Sequence, residues 1–167
     1  RLVYLDSGAT SQKPVSVLDA EREFYTKHNA AAHRGAHQLA EEATELFEGA
    51  REKVAAFLGA KSEEIVFTKS ATESINLIAY SLGNAVPGSK FHIKPGDRIV
   101  VSEMEHHANL IPWQELAKRT GAELVWFSVD SNGRLDLSNV SDLINEKTKV
   151  VALTHQSNVL GTINPIN

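Results

Sequence analysis

From Leu39 to Leu58 the apolar side chains Leu39, Ala43, Leu46, Phe47, Ala50, Val54, Phe57 and Leu58 recur at intervals of three and four. On a helix that spacing puts them in one stripe, so the segment is expected to be a long amphipathic helix closed by Gly59. The rest of the chain alternates shorter patterns. "LVYL" at the start is a short apolar strand candidate; "DSGATSQKP" after it is polar and turn-rich, and Pro14 suits the first turn of a helix running to about Lys27. A loop containing "AAHRGAH" precedes the long helix. After it come "EIVFT" as a strand, "SATESINLIAYSL" as a helix, "DRIVVS" as a strand and "ANLIPWQELAKR" as a helix closed by Gly121. "ELVWFSV" (strand), "LSNVSDLINE" (short helix) and "KVVALT" (strand) complete the series.

Strands alternating with helices predict an α/β fold, a mainly parallel sheet flanked by helices. Ligands of such sheets bind beyond the carboxyl ends of the strands. The turns expected there are "TKSATES", "SEMEHHAN" and "THQSNVLGT". Three polar turns converging on one sheet edge make a candidate site.

In the first turn, Ser70 followed by Glu73 fits a capping box, while the free amides of Ala71 and Thr72, with the helix dipole and the Thr72 hydroxyl, suit a phosphate. The two uses coexist, because one cap leaves other amides unpaired. In the second, Glu105, His106 and His107 are either a polar turn with satisfied histidines or a flat imidazole set against a planar ligand. A zinc site is the poorer alternative: adjacent histidines on a turn seldom aim at one metal, and no second cluster has the spacing of a metal site. In the third, Asn158 either completes its own turn or donates an amide hydrogen to a phenolic or carboxylate oxygen, with Gly161 giving the turn its freedom. The loop bearing His33, Arg34 and His37 is either solvated or anion-binding.

Bulk composition narrows the range of partners. The 167 residues are 42% hydrophobic and 23% charged, ordinary for one globular domain or one piece of a larger one. A net charge of -4 argues against nucleic acid and anionic membrane surfaces. No apolar run reaches the roughly 20 residues of a membrane helix and no leader opens the chain, so a cytoplasmic location is expected. With no cysteine there is neither a disulfide nor a thiolate nucleophile. Arg1 is no natural initiator and the chain stops just after a strand-like segment, so both ends are expected to be cut.

Taken together, "YLDSGATSQKP", "HRGAHQLAEEAT", "EIVFTKSATESINL", "SEMEHHANLIPWQ" and "LTHQSNVLGTINP" stand in the order and at about the separations found in the SufS-like (group II) cysteine desulfurases of the class V aminotransferase family. The resemblance covers essentially the whole chain, and the "EHHAN…PWQ" and "THQSNVLGT" segments are its specific parts. It implies the pyridoxal 5'-phosphate (PLP) dependent transferase fold type I, with residues 1–167 forming the N-terminal segment and first part of the large PLP-binding domain. By similarity, His106 stacks on the PLP ring, Ala71 and Thr72 help hold its phosphate, and Asn158 lies near its phenolic oxygen. His33 matches a histidine of the substrate-side loop, and Gly8 and Ala9 would lie near the substrate amino acid.

The resemblance also implies an activity. L-cysteine would be converted to L-alanine with PLP as electron sink, its sulfur passing to an enzyme cysteine as a persulfide and then to an acceptor protein of iron–sulfur cluster assembly. Such enzymes are homodimers. The family's Schiff-base lysine, normally in a Ser-x-His-Lys stretch, is missing here, as are its Asp-x-x-Gln stretch and its nucleophilic cysteine. All three belong downstream of Asn167, so the chain is expected to be the front part of such an enzyme, with no catalytic residue of its own and no turnover alone. The alternatives are another class V enzyme, such as a selenocysteine lyase, an epimerase or a kynureninase-like hydrolase, and a non-catalytic binding or assembly fragment.

Overall fold

The computed structural model describes residues 2–166; Arg1 and Asn167, the expected cut ends, lie outside them. The chain forms two compact units, Arg1–Phe67 and Thr68–Asn167.

The first unit is helical. Helix α1 spans Val15–Glu23 and continues as a π-helical turn, Phe24–His28. A wider turn is explained locally: the Thr26 hydroxyl donates to the Arg22 carbonyl at 2.7 Å, drawing that oxygen off the regular ladder. The expected helix therefore reaches Lys27, but its last turn is not α. Helix α2 spans Gln38–Leu58, within a residue of the predicted range. Its start is capped by His37, whose Nδ1 accepts from the Ala40 amide, and its end by Gly59 at φ 67°, a left-handed position that suits glycine. His37 thus serves as a helix cap, a use that neither reading of its loop includes.

Two expected strands are not strands. "LVYL" and "EIVFT" lack a ladder partner among the described residues. "EIVFT" keeps extended backbone at Ile65, φ -100° and ψ 123°, but its carbonyl there receives the Arg51 guanidinium of α2. Apolar pattern and β-branching gave "EIVFT" the look of a strand, yet a strand exists only where a neighbour offers free amides and carbonyls.

The second unit holds the sheet. Strands β1 (Arg98–Ser102), β2 (Glu123–Phe127) and β3 (Thr148–Val151) pair in the order β2-β1-β3, all parallel, with a register irregularity between Arg98 and Ile99. Helix α3 spans Ala71–Gly83, α4 Ile111–Thr120, and α5 is a single turn, Val140–Leu143, shorter than the ten-residue segment expected. The helix expected from Ala108 is split: a 3-10 turn, His107–Asn109, comes first, and α4 begins beyond Leu110 with Pro112 in its first turn.

β1 is the central strand and almost wholly buried. Ile99 and Val101 point to the face carrying α3 and α4, packing with Ala79, Trp113, Leu116 and Ala117. Side chains alternate along a strand, so Val100 lies on the opposite face; it too is fully buried, as is Phe127 of β2. Residues buried on both sides give β1 the continuous apolar run that made it easy to predict. Among the described residues no helix is long and apolar enough to cross a membrane.

Candidate functional site

Parallel pairing brings the carboxyl ends of β1 and β3 to one edge, and each is followed by a polar turn. The two turns are joined by Glu105. Its Oε1 accepts from the Ser102 hydroxyl at 2.5 Å and from the Thr154 amide at 2.8 Å; its Oε2 accepts from Asn109 Nδ2 at 2.7 Å. Asn109 in turn accepts from Trp113 Nε1 at 2.9 Å. One carboxylate thus ties the last residue of β1, the turn after β3, and the start of α4 through Asn109 and the core residue Trp113.

With Glu105 so engaged, the imidazoles are left at the surface. Both rings are exposed, stacked on each other with centroids 4.5 Å apart and planes 19° from parallel. His106 Nδ1 accepts from the Ala108 amide at 3.1 Å, capping the 3-10 turn and fixing the ring edge on. Glu105 holds the turn, and His106 is exposed with its Nδ1 engaged and one ring face against His107. Among the described residues no group of three or more His, Cys, Asp or Glu side chains is arranged to hold a metal ion.

α3 packs against this 3-10 turn. At its N-terminus Ser70 Oγ accepts from the Glu73 amide at 3.2 Å, and Glu73 Oε2 reaches back to the Lys69 amide at 2.5 Å, one residue beyond the usual capping-box partner. Thr68 Oγ1 and Ser74 Oγ, 2.6 Å apart, close the turn further. The amides of Ala71 and Thr72 have no partner among the described residues. Cap and free amides coexist, and the positive end of the helix dipole lies at those amides.

The turn after β3 is built by two residues that sequence reasoning did not single out. Ser157, almost fully buried, accepts through Oγ from the amides of Val159 and Leu160, while Gly161 at φ 71° donates its amide to the Ser157 carbonyl at 2.9 Å. Asn164, 2% exposed, donates Nδ2 to the Thr154 carbonyl at 2.8 Å and its amide to the His155 carbonyl at 2.8 Å. These bonds fold the segment back on itself, with Gln156 bridged to Ile163. Asn158 sits at the tip, exposed, and among the described residues its carboxamide is unpaired. It does not complete its own turn; Ser157 does that. The signal in the sequence was faint: two small polar residues seven apart, indistinguishable by type from ordinary loop residues.

The second unit therefore carries Ala71, Thr72, His106 and Asn158. The remaining expected residues belong to the first unit. Gly8 and Ala9 lie in an exposed turn closed by the Ala9 amide on the Asp6 carbonyl and by the Tyr4 hydroxyl on the Thr10 carbonyl at 2.6 Å. His33 sits in the loop before α2, its Nε2 2.9 Å from Glu48 Oε1.

The second unit thus carries, at the carboxyl edge of a parallel sheet, the exposed His106 ring and the Asn158 carboxamide, with the unpaired amides of α3 against the turn after β1. Comparison with known proteins gives the family. The aminotransferase class-V family matches residues 3–167. The chain is 56% identical over 167 residues to a probable cysteine desulfurase of Streptomyces coelicolor, covering 99% of this chain and 40% of that protein. It is 48% identical over 168 residues to a cysteine desulfurase of Haloferax volcanii, covering 99% and 38%. Among solved structures, the apo cysteine desulfurase of Thermococcus onnurineus superposes with a TM-score of 0.84 at 45% identity over 95% of this chain and 38% of that one. A second, SspA in complex with cysteine, gives 0.75 at 28% identity over 95% and 43%. The chain belongs to the aminotransferase class-V family, and its fold is the PLP-dependent transferase fold type I. It spans about 40% of the length of the curated relatives it matches.

Proposed function

We propose that this chain is the N-terminal segment and first part of the large domain of a PLP-dependent cysteine desulfurase acting in iron–sulfur cluster assembly. The observation that supports the reading best is the juxtaposition at the sheet edge: His106 and Asn158 follow adjacent parallel strands tied by one carboxylate, and α3, with two unpaired amides, packs against the same turn. PLP, when bound, supplies an electron sink for carbanion chemistry at the substrate α-carbon. The residues of this chain fit its three recognisable parts. Ala71 and Thr72 would donate backbone hydrogen bonds to its phosphate, the His106 imidazole would stack on its ring, and the Asn158 carboxamide would donate to its phenolic oxygen. The resemblance would give His33, Gly8 and Ala9 a place on the substrate side.

In the proposed reaction the substrate's sulfur passes to an enzyme thiol, giving L-alanine and a persulfide that an acceptor protein of the cluster-assembly machinery receives. The working enzyme is a cytoplasmic homodimer. This chain contains no cysteine, so the acceptor thiol lies elsewhere in the enzyme and the 167 residues alone perform no turnover.

The test uses pyridoxamine 5'-phosphate, which needs no lysine to bind. Titrated into the 167-residue chain, it is expected to shift its own phosphorus-31 resonance and to lose affinity in His106→Ala and Asn158→Ala. No binding at millimolar ligand, or alanine released from L-cysteine by the chain, would overturn the assignment.

A further inference from the structure

His33 is the one non-glycine residue with positive φ among the described residues, at 62°. That conformation is disfavoured for a side chain with a Cβ, and it persists only where neighbours over-determine it. Here they do. The His33 amide donates to Thr44 Oγ1 at 2.9 Å, and that hydroxyl is itself anchored on the Ala40 carbonyl at 2.6 Å. The imidazole stands edge-on to Phe47, centroids 5.9 Å apart, with Nε2 2.9 Å from Glu48 Oε1. Glu48 is held in its turn: Oε2 accepts from Arg51 Nε at 2.9 Å, and the Arg51 guanidinium lies over the rings of Phe47 and Phe67 at 5.0 and 5.3 Å. Thr44, Phe47, Glu48 and Arg51 are spaced at three and four along α2, so one helix face holds both the backbone and the ring of a loop residue.

All of this leaves the ring half in solvent, with Nδ1 unpartnered among the described residues. A buttress this extensive around a surface imidazole is unexplained by packing, which a smaller side chain at an ordinary φ would serve without strain. It has a definite chemical consequence. A carboxylate only accepts hydrogen bonds, so a neutral imidazole facing it must carry its proton on the nitrogen that faces it. Arg51 first, and His33 after it, hold the Glu48 carboxyl below its ordinary range, keeping it an acceptor.

We propose that Glu48 is a positioning residue for His33, fixing the imidazole with its proton on Nε2 so that Nδ1 is the nitrogen offered to the substrate. The lone pair of Nδ1 then accepts a hydrogen bond from an amino-acid substrate's polar hydrogen, on its ammonium or its thiol. This second part rests on the substrate-side place given to His33 above; the hold itself does not.

The test is tautomer assignment by long-range proton–nitrogen correlation on the nitrogen-15 labelled chain near pH 9, where imidazoles are neutral. Wild-type His33 is expected to be wholly of the Nε2–H form. Glu48→Gln keeps the side-chain volume and an oxygen for Arg51, but turns an amide NH2 toward Nε2. It is expected to move the proton to Nδ1, changing the tautomer ratio by about tenfold or more. Glu48→Ala is expected to give a mixture and to weaken the nuclear Overhauser contact between His33 and Phe47. Equal tautomer ratios in wild type and both variants would overturn the hold. A separate arm adds phosphopyridoxyl-L-alanine, a stable cofactor–substrate adduct. A response of Nδ1 in the wild type supports the substrate contact; a fixed tautomer with Nδ1 unmoved by bound adduct supports the hold and strikes only the substrate-side assignment.

Discussion

Replacing Glu105 by Gln changes one atom, and the hydrogen-bond geometry says what that change must do. If the new amide nitrogen takes the place of Oε1, it faces the Thr154 amide, which is a donor with no alternative. The Ser102 hydroxyl can rotate to accept, but Thr154 cannot. If it takes the place of Oε2, it faces Asn109 Nδ2, and Asn109 has no free turn to offer because its Oδ1 is already engaged by Trp113 Nε1. Either orientation sets donor against donor in a partly buried position. A charge-assisted bond lost and a donor left unpaired together cost about 2 kcal/mol. With m-values of about 1–3 kcal/mol per molar urea, the midpoint should fall by about 1 M. Trp113 and Trp126 both lie in the second unit, so their fluorescence reports its unfolding, and amide exchange at Thr154 reports the particular bond. The expected result is a midpoint shift of that size with selective loss of protection at Thr154. A shift worth less than about 0.5 kcal/mol, the range of ordinary surface substitutions, would refute the claim that this carboxylate ties the two strand ends.

Asn164→Ala removes the donor to the Thr154 carbonyl and leaves a void in a fully packed place, so it is expected to cost about 2–3 kcal/mol and to raise amide exchange at Ser157 and Gly161, measured by deuterium exchange. Gly121 closes α4 at φ 74° with its would-be Cβ 3.0 Å from the Pro95 ring; Gly121→Ala is expected to lower stability by about 1–2 kcal/mol in urea titration, and an unchanged midpoint would contradict the left-handed cap. Ser70→Ala deletes the cap on the Glu73 amide and is expected to cost about 1 kcal/mol in the same titration while leaving the Ala71 and Thr72 amides as they are. Glu48 bonds to Arg51 and His33, so its folded pKa lies below its ordinary 4.5. Its contribution to stability is then complete above about pH 4.5 and lost as pH falls through the lowered value. Urea midpoints followed through this acid range should drop more steeply for the parent than for Glu48→Gln, and parallel curves would count against the pairing.

How much of this was legible beforehand varied with the kind of signal. α2 and β1 were plain because each buries a face along its whole length, and burial imposes a period on the sequence. "EIVFT" misled for a related reason: its residues carry the apolar, β-branched character of a strand, but pairing depends on a partner that no local pattern encodes. The strand ends were legible as polar interruptions, which pointed to a candidate site without assigning roles inside it. His106 and Asn158 were singled out through the resemblance of their segments to a known family. Ser157, Asn164 and the bridging role of Glu105 could not, because nothing in a residue's type says whether its hydrogen-bond partners come from its own turn or from the neighbouring strand.

The same division of labour appears in both units. Glu105 spends its oxygens on protein donors and leaves the adjacent His106 ring exposed at the sheet edge; Glu48 spends both oxygens on Arg51, one of them shared with His33, and leaves Nδ1 open. In each case the carboxylate satisfies backbone or side-chain donors that would otherwise be unpaired, and the imidazole beside it keeps an exposed face or nitrogen. In the proposed reading, an imidazole held by one edge meets its ligand with its free edge or face without ordering cost at binding. A sequence in which acidic residues and histidines cluster invites counting them as interchangeable ligands. Their hydrogen bonds sort them instead into those that hold and those that are held, and the two Glu→Gln substitutions separate these roles: at Glu105 the strand ends loosen, and at Glu48 the proton on His33 changes sides.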